Sequence, residues 1–263
     1  MRIAVLVKEV PDTYGARKLD LETGLANRDA SDRVLDEIGE RALEFAISYA
    51  ESAPDTEIVA VSVSPEVAAN SLRKALAMGA HRVVQVADAA LAGADLTLTA
   101  TTLAAVLRKV EADLIITGNV STDGSGGVIP SMVAEHLGLP SVTALDKAEI
   151  VAGEGGGVGV IRGERTVDGA KLGVELALPA VVSITEQMPD PRFASLKGIM
   201  AAKKKPFDVH SLAELGVDAD ELVPRSIMTA AAEQPPRGAG IKIEDDGTAA
   251  AQLTDFLAQK GLL

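Results

Sequence analysis

The chain of 263 residues contains no cysteine and no tryptophan, and only 2% of its residues are aromatic. The lack of cysteine excludes disulfides, thiolate metal sites and cysteine nucleophiles. Acidic residues outnumber lysine and arginine, 38 to 25, which gives a formal net charge of −13 and argues against nucleic-acid binding through a generally basic surface. No apolar run approaches the roughly 20 residues of a membrane span.

The N-terminus also lacks the organisation of a signal peptide. Residues 1–7 pass directly into a strand-like apolar run. We therefore expect a cytoplasmic protein.

Catalytic motifs are missing as well. The three histidines, His81, His136 and His210, are far apart in sequence and have no neighbours typical of a metal site or a catalytic triad, so we expect them at the surface. There is no P-loop, and Ser125 does not stand in a G-x-S-x-G elbow. Ser125 does open a short likeness to the SGGxDS loop of ATP pyrophosphatases, but other residues hold the Asp and Ser places. The sequence thus predicts no catalytic residues and no metal site.

What is present is an alternation of strand-like and helix-like segments. Apolar runs predict strands at Arg2–Val7, Glu57–Val63, Arg82–Val86 and Asp113–Thr117. Helical spacing and end signals predict helices over 36–52, from Ser64-Pro65 to Gly79, over 95–111 and over 130–137. This alternation predicts an α/β fold with a mostly parallel, doubly wound sheet.

The second half departs from that rhythm. Residues 157–182 are strand-like, with Asp168-Gly169 as a hairpin turn. From about Ser226 the chain is polar and too short for a core of its own, apart from a short amphipathic helix near 248–259. We therefore divide the chain into an α/β domain, 1–225, and a C-terminal segment, 226–263, which is either a loose appendage or an arm that contacts another subunit.

The glycine-rich loop, Gly118–Gly127, follows the fourth predicted strand and precedes a helix. Ligands of open α/β sheets bind at that edge, and a helix N-terminus offers free N–H groups to a phosphate. Three hydroxyl side chains add further donors. The alternative is an ordinary glycine-rich surface connection.

A second candidate is the stretch between Asp190 and Lys205, which has five basic residues and one acidic residue in an otherwise acidic chain. Together with its apolar residues it predicts a docking surface for another protein. The alternative is a solvated lysine face beside a loop.

At this segment the sequence resembles a known family. LPAVVSITEQMPDPRFASLKGIMAAKKKP, residues 178–206, is similar to the signature of electron transfer flavoprotein beta subunits. VKEVPD at 7–12, ALAMGA at 75–80 and the STDG at 121–124, seen in bacterial members, extend the resemblance in order along essentially the whole chain.

The resemblance implies a sheet of the adenine-nucleotide-binding, HUP-like type. It further implies a heterodimer in which an alpha subunit holds most of the FAD and the beta subunit encloses AMP, with residues 226–263 as an arm on the alpha subunit. Such a heterodimer carries electrons, in fatty acid oxidation for example, from acyl-CoA dehydrogenases or other flavin dehydrogenases to a membrane quinone oxidoreductase or another acceptor. It needs no catalytic residues of its own, because the flavin performs the redox chemistry.

The resemblance also assigns residues. Those implied around AMP are Leu6, Asp36, Glu37, Ile38, Gly39, Val63, Gly118, Asn119, Val120, Ser121, Thr122, Asp123, Gly124, Ser125, Gly126, Gly127, Val128 and Ile129. Those near the flavin ring are Thr13 and Tyr14. Those implied in partner docking, with Leu196 in the place of the anchoring leucine, are Pro191, Arg192, Phe193, Leu196, Ile199 and Met200.

Two departures from the family pattern concern the nucleotide. Many members have Asn at the position of Asp36, and NQTG where this chain has residues 124–127. In electron-bifurcating relatives the same cavity holds a second FAD, which stays an alternative. A stand-alone nucleotide-binding regulatory protein is another alternative. That function would give no role to the stretch between Asp190 and Lys205 or to the C-terminal arm.

Overall fold

The computed structural model describes residues 1–153, 159–222, 224 and 226–263. The strands are β1 Arg2–Leu6, β2 Glu9–Pro11, β3 Arg33–Leu35, β4 Glu57–Val63, β5 Arg82–Val86, β6 Leu114–Gly118, β7 Ser141–Leu145, β8 Lys147–Val151, β9 Val160–Val167, β10 Ala170–Ala177, β11 Ala180–Ile184 and β12 Phe207–His210. The helices are α1 Glu37–Ser52, α2 Ala69–Met78, α3 Leu96–Val110, α4 Ile129–Leu137, α5 Leu196–Ala202, α6 Leu212–Leu215 and α7 Ala249–Gln259.

Seven strands form the central sheet, in the order β12-β5-β4-β1-β6-β11-β7, and their pairings are parallel. Side chains alternate across it: Ile3 and Val5 of β1 join the core beneath α1 and α2, while Ala4 joins the core beneath α3 and α4. Because helices cover both faces, these strands are apolar on both sides. The predicted doubly wound α/β sheet is confirmed.

The central position of β1 creates a switch point. The chain runs from β1 to β4 on one side and later returns to β6 on the other. Loops after the carboxyl ends of β1 and β6 therefore diverge, and a crevice at such a point is where ligands of open α/β sheets bind. The antiparallel pair β2–β3 follows β1 at this edge.

The predicted hairpin region is also confirmed. Strands β8, β9 and β10 form an antiparallel sheet, and β9 and β10 join at Asp168 and Gly169, whose φ angles are 50° and 79°. Two positive φ angles are the requirement of the tight turn that an Asp-Gly pair supplies. Residues 154–158, which include the start of the predicted strand-like stretch, lie outside the described residues.

The predicted start of the second helix is wrong. A 3₁₀ turn over Glu66–Ala68 follows Pro65, and α2 begins at Ala69. The Ser64 hydroxyl does not cap a helix, because it accepts a hydrogen bond of 3.1 Å from the buried amide of Gln85 on β5. A cross-strand partner of this kind leaves no local sequence signal.

The chain divides into two units, Met1–Thr229 and Ala230–Leu263. In the second, α7 leaves Leu253 and Phe256 exposed. None of the described helices is long and apolar enough to cross a membrane. Within the described ranges no cluster of His, Asp or Glu is arranged to hold a metal ion.

Candidate functional site

A cavity of about 750 Å³ opens at the carboxyl edge of the sheet. This volume lies within the range of roughly 300–1,000 Å³ that is usual for small-molecule sites. It is enclosed by the stretches after β1, β4 and β5, by part of the segment between β2 and β3, and by the start of α3. The lining residues are Lys8, Glu9, Leu25, Ala26, Arg28, Val63, Ser64, Pro65, Glu66, Ala87, Asp88, Ala89, Leu91, Ala92, Gly93, Ala94 and Thr99.

Of the residues predicted around AMP, Val63 lines this cavity. The stretch 87–94 and the segment from Leu25 to Arg28 were missed by the sequence analysis. Their side chains are mostly small or apolar and carry no phosphate-binding motif, so only their position at the end of β5 and beyond β2 brings them to the cavity.

The glycine-rich loop is fastened to the start of α1. Asp36 is only 2% exposed, and its carboxylate accepts hydrogen bonds from the Thr122 backbone N–H at 3.0 Å and the Thr122 hydroxyl at 3.3 Å. It makes no capping bond to its own helix. Burial raises the pKa of the Asp36 carboxyl, although the Thr122 hydrogen bonds oppose that rise. Asp36 therefore orders the loop through its two hydrogen bonds with Thr122.

Gly118 is a glycine because of α1. A Cβ at this position would lie 2.5 Å from the Ile38 Cγ2, closer than atoms can approach without a shift. The predicted residues thus meet in two pairs, Asp36 with Thr122 and Ile38 with Gly118, which form the junction between α1 and the loop after β6.

Asp123 is the centre of a charge cluster beside the cavity. Its carboxylate, 8% exposed, lies 2.8 Å from the Lys8 Nζ and 3.1 Å from the Arg28 Nη2. Burial alone would raise the pKa of Asp123, but the hydrogen bond and charge of Lys8 outweigh it and lower the pKa to about 2. The two basic residues in the cavity lining are therefore already paired with a carboxylate.

The loop's remaining donors suit an anion. The Thr122 hydroxyl is used by Asp36, and the Ser125 hydroxyl donates to the Ser121 carbonyl. By contrast, the backbone N–H groups of residues 126–128 have no hydrogen-bond acceptor among the described residues. These groups immediately precede α4, where backbone N–H groups and the helix dipole favour negative charge. The residues present thus fit a phosphate-bearing ligand.

The tip of the segment after β2 carries the residues predicted near the flavin. Thr13 is exposed, and Tyr14 is 98% exposed. Asp12 shapes the tip: its side chain accepts a hydrogen bond of 2.9 Å from the Tyr14 backbone N–H. Tyr14 therefore projects outward from an ordered turn.

The docking segment, residues 188–202, presents an apolar patch of Phe193, Leu196, Ile199 and Met200. Phe193 is 99% exposed and Leu196 82% exposed. No helix was predicted here, but residues 196–202 form α5, capped by the Ser195 hydroxyl, which accepts a hydrogen bond from the Gly198 N–H at 3.0 Å. Seven residues are too few for a visible helical period. Leu196, Ile199 and Met200 consequently share one helix face.

The basic residues of this region divide into two groups. Arg192 binds Glu44 and Glu51 of α1, and the Lys205 Nζ donates to the carbonyls of Leu76 and Ala80 at the end of α2. Lys197, Lys203 and Lys204 are exposed. The predicted basic docking patch is therefore smaller than the sequence suggested.

Comparisons with known proteins agree with this arrangement. The family model described as the electron transfer flavoprotein domain matches residues 23–215. The electron transfer flavoprotein subunit beta of Mycobacterium leprae is 43% identical over 98% of both chains, and that of Mycobacterium tuberculosis is 42% identical over the same shares. The subunit CarD of the caffeyl-CoA reductase-Etf complex of Acetobacterium woodii is 33% identical over 82% of this chain and 80% of its own. The chain therefore belongs to the electron transfer flavoprotein family, among its beta subunits.

Proposed function

We propose that the chain is the beta subunit of a heterodimeric electron transfer flavoprotein. It takes electrons from flavin dehydrogenases, such as acyl-CoA dehydrogenases of fatty acid oxidation, and passes them to a membrane quinone oxidoreductase or another acceptor. The observation that carries the proposal is the apolar patch around Leu196, which is exposed although the segment beneath it is firmly attached. Exposed apolar patches on an ordered surface are typical of sites where proteins meet.

The flavin belongs to the alpha subunit in this proposal. The redox chemistry is that of FAD, and this chain supplies position and electrostatics rather than a catalytic residue. Thr13 and Tyr14 at the exposed tip approach the flavin ring, and the C-terminal arm, 226–263, contacts the alpha subunit. A cytoplasmic location is part of the same proposal.

The cavity and the glycine-rich loop hold AMP. The unpaired N–H groups of residues 126–128 bind its phosphate, and the mainly apolar stretch 87–94 with Val63 suits a flat, uncharged base. AMP has no redox chemistry, so its role is to fill and stiffen this edge of the sheet. A second FAD in the same place, as in a bifurcating flavoprotein, is the competing proposal.

Co-expression with the candidate alpha subunit tests these proposals together. The purified complex is denatured, and released FAD and AMP are quantified against protein. One FAD and one AMP per heterodimer supports the main proposal, whereas two FAD and no AMP indicates a bifurcating flavoprotein. A chain that stays monomeric and flavin-free but binds adenine nucleotide is instead a regulatory protein.

A further inference from the structure

Four residues of α1 form a stripe along the docking segment. Arg41, Glu44, Ser48 and Glu51 recur at spacings of three and four residues, which places them on one face of the helix. Arg41 donates to the Met188 carbonyl at 2.6 Å and also pairs with Asp190. The Ser48 hydroxyl donates to the Glu44 carboxylate at 2.9 Å. The entry to the docking segment is thus tied to the helix before Arg192 is reached.

Arg192 makes the strongest of these ties. Its Nε lies 2.8 Å from the Glu44 Oε2 and its Nη2 lies 2.8 Å from the Glu44 Oε1, while its own backbone N–H donates to Glu44 Oε2 at 3.1 Å. The third guanidinium nitrogen, Nη1, donates to Glu51. A planar guanidinium that meets a carboxylate through two nitrogens is held in direction as well as in distance.

Burial makes the pair costly to break. The Glu44 side chain is 11% exposed, and that of Arg192 is 34% exposed. Burial raises the pKa of Glu44, yet the hydrogen bonds and charge of Arg192 outweigh it, so the pKa falls below its ordinary value. Removal of Arg192 leaves the Glu44 carboxylate poorly solvated and without its ion-pair partner, whereas removal of Glu44 leaves Arg192 with Glu51 alone.

Neighbouring residues in the segment have the opposite character. Phe193 is 99% exposed, directly after an arginine whose side chain faces α1. Further along, Gly198 lies against the Ala77 carbonyl of α2, and Ala202 is buried. The segment is therefore attached at both ends, and its apolar patch faces away from these attachments.

We propose that Arg192 is a positioning residue and not a contact residue for the partner. Its ion pairs with Glu44 and Glu51, here called the clamp, fix the docking segment in the conformation that exposes Phe193 and Leu196. This role rests on the proposed function for the identity of the partner, but the clamp itself acts within the chain.

Hydrogen–deuterium exchange of the purified heterodimer, with no dehydrogenase present, tests the clamp directly. Arg192→Lys keeps the charge but loses the planar fork, and Glu44→Gln keeps the shape but loses the charge. We expect each to speed exchange of amides in 189–200 by about tenfold or more, because charge-assisted hydrogen bonds hold the segment closed. The exchange rate of the double variant should be only slightly higher than that of either single variant, because both substitutions disrupt the same Arg192–Glu44 pair.

Two further variants grade the effect. Glu51→Gln should change exchange less than Glu44→Gln, because the Glu51 side chain is 61% exposed. Lys197→Gln is the matched control: it removes one charge from the same segment, but Lys197 forms no ion pair with any described residue. Its exchange should equal that of the unchanged protein.

Electron uptake from an acyl-CoA dehydrogenase supplies the second readout. If the clamp positions the docking segment, Arg192→Lys and Glu44→Gln should both raise the KM for the dehydrogenase several-fold and leave the flavin absorbance unchanged. Unaltered exchange in both variants, with a raised KM in Arg192→Lys alone, would overturn the proposal and make Arg192 a direct contact. Faster exchange in a complex that no dehydrogenase reduces would support the clamp and refute the proposed function.

Discussion

The glycine-rich loop and the docking segment both rest on α1, but they use the helix differently. At the start of α1, Asp36 and Ile38 hold the loop through buried hydrogen bonds and close packing. Two and four turns later, Glu44 and Glu51 hold the docking segment through a partly exposed ion pair. At the first junction Asp36 is buried, whereas the second junction supports an apolar patch that faces solvent.

The difference bears on the roles proposed for the two regions. In the loop, most side-chain polar groups are satisfied inside the chain, which leaves backbone N–H groups for a ligand. In the docking segment, Arg192 is hydrogen-bonded to α1, and the large apolar side chains are exposed to solvent. A small anion suits the first arrangement, and a protein surface suits the second.

The largest expected effect on stability is at the first junction. Gly118→Ala places a Cβ 2.5 Å from Ile38 Cγ2, and we expect a loss of about 2–3 kcal/mol in the free energy of unfolding. Urea denaturation measures the loss, with Gly173→Ala as control, because a Cβ added there has no described atom within 4 Å beyond its chain neighbours. The double variant Gly118→Ala/Ile38→Ala lacks the Ile38 side-chain atoms that the new Cβ meets. It should therefore recover part of the stability that Gly118→Ala loses. Equal stability of the two glycine variants would show that the junction is loose.

Asp123→Asn tests the charge cluster that this residue of the loop forms with Lys8 and Arg28. The pKa of Asp123 is about 2 in the folded protein against an ordinary 3.8, so the folded state binds fewer protons and stability rises with pH. The contribution, about 2 kcal/mol, is fully present above pH 4–5 and is lost as pH falls towards 2. Unfolding measured from pH 7 to pH 3 should show a shallower slope in Asp123→Asn.

The control for that slope comes from the docking segment. Asp190→Asn removes an ion pair with Arg41 in which the aspartate is 87% exposed, so the change should stay within about 0.5 kcal/mol at every pH. If Asp190→Asn altered the slope as much as Asp123→Asn, the contrast between a buried and an exposed charge cluster would be lost.

Gly198→Ala separates two opposing effects in the docking segment. Helix propensity alone would stabilise α5 by about 1 kcal/mol, but a Cβ would press on the Ala77 carbonyl of α2. We expect the clash to win, with a net loss of about 1 kcal/mol and faster amide exchange over 195–202. A gain in the melting temperature would mean that α5 is not seated on α2.

The smallest effect on stability belongs to the patch itself. Leu196 is 82% exposed, so Leu196→Ala should change the free energy of unfolding by less than about 0.5 kcal/mol. Thermal melts of the heterodimer check this. A large loss, or release of flavin, would show that the side chain supports the fold rather than a partner.

The sequence predicted those features that local patterns determine. Apolar runs identified β1, β4, β5 and β6, and helical spacing together with end residues identified α1, α3 and α4. Because these elements alternate, the parallel sheet and the position of the glycine-rich loop followed from them. Strands as short as β12, and α5 with its seven residues, carry too little pattern to be recognised.

Long-range pairs account for most of what was missed. Arg192 lies in a basic stretch that the resemblance assigns to docking, and no local pattern shows that it pairs with Glu44, 148 positions away. Ser64 was predicted at the start of a helix, but its hydroxyl accepts a hydrogen bond from Gln85 on the neighbouring strand. Asp36, where many family members have Asn, accepts a hydrogen bond from Thr122, 86 positions away. Such contacts exist only once the sheet has formed.

Reduction of the flavin in the purified heterodimer by an acyl-CoA dehydrogenase tests the central proposal most directly. The flavin absorbance is followed after mixing with reduced dehydrogenase, for the unchanged complex and for Leu196→Ala. We expect saturable reduction, with a KM for the dehydrogenase at least several-fold higher in Leu196→Ala and an identical flavin spectrum before mixing. Equal KM values in the two complexes, or no reduction of the unchanged complex, would contradict it.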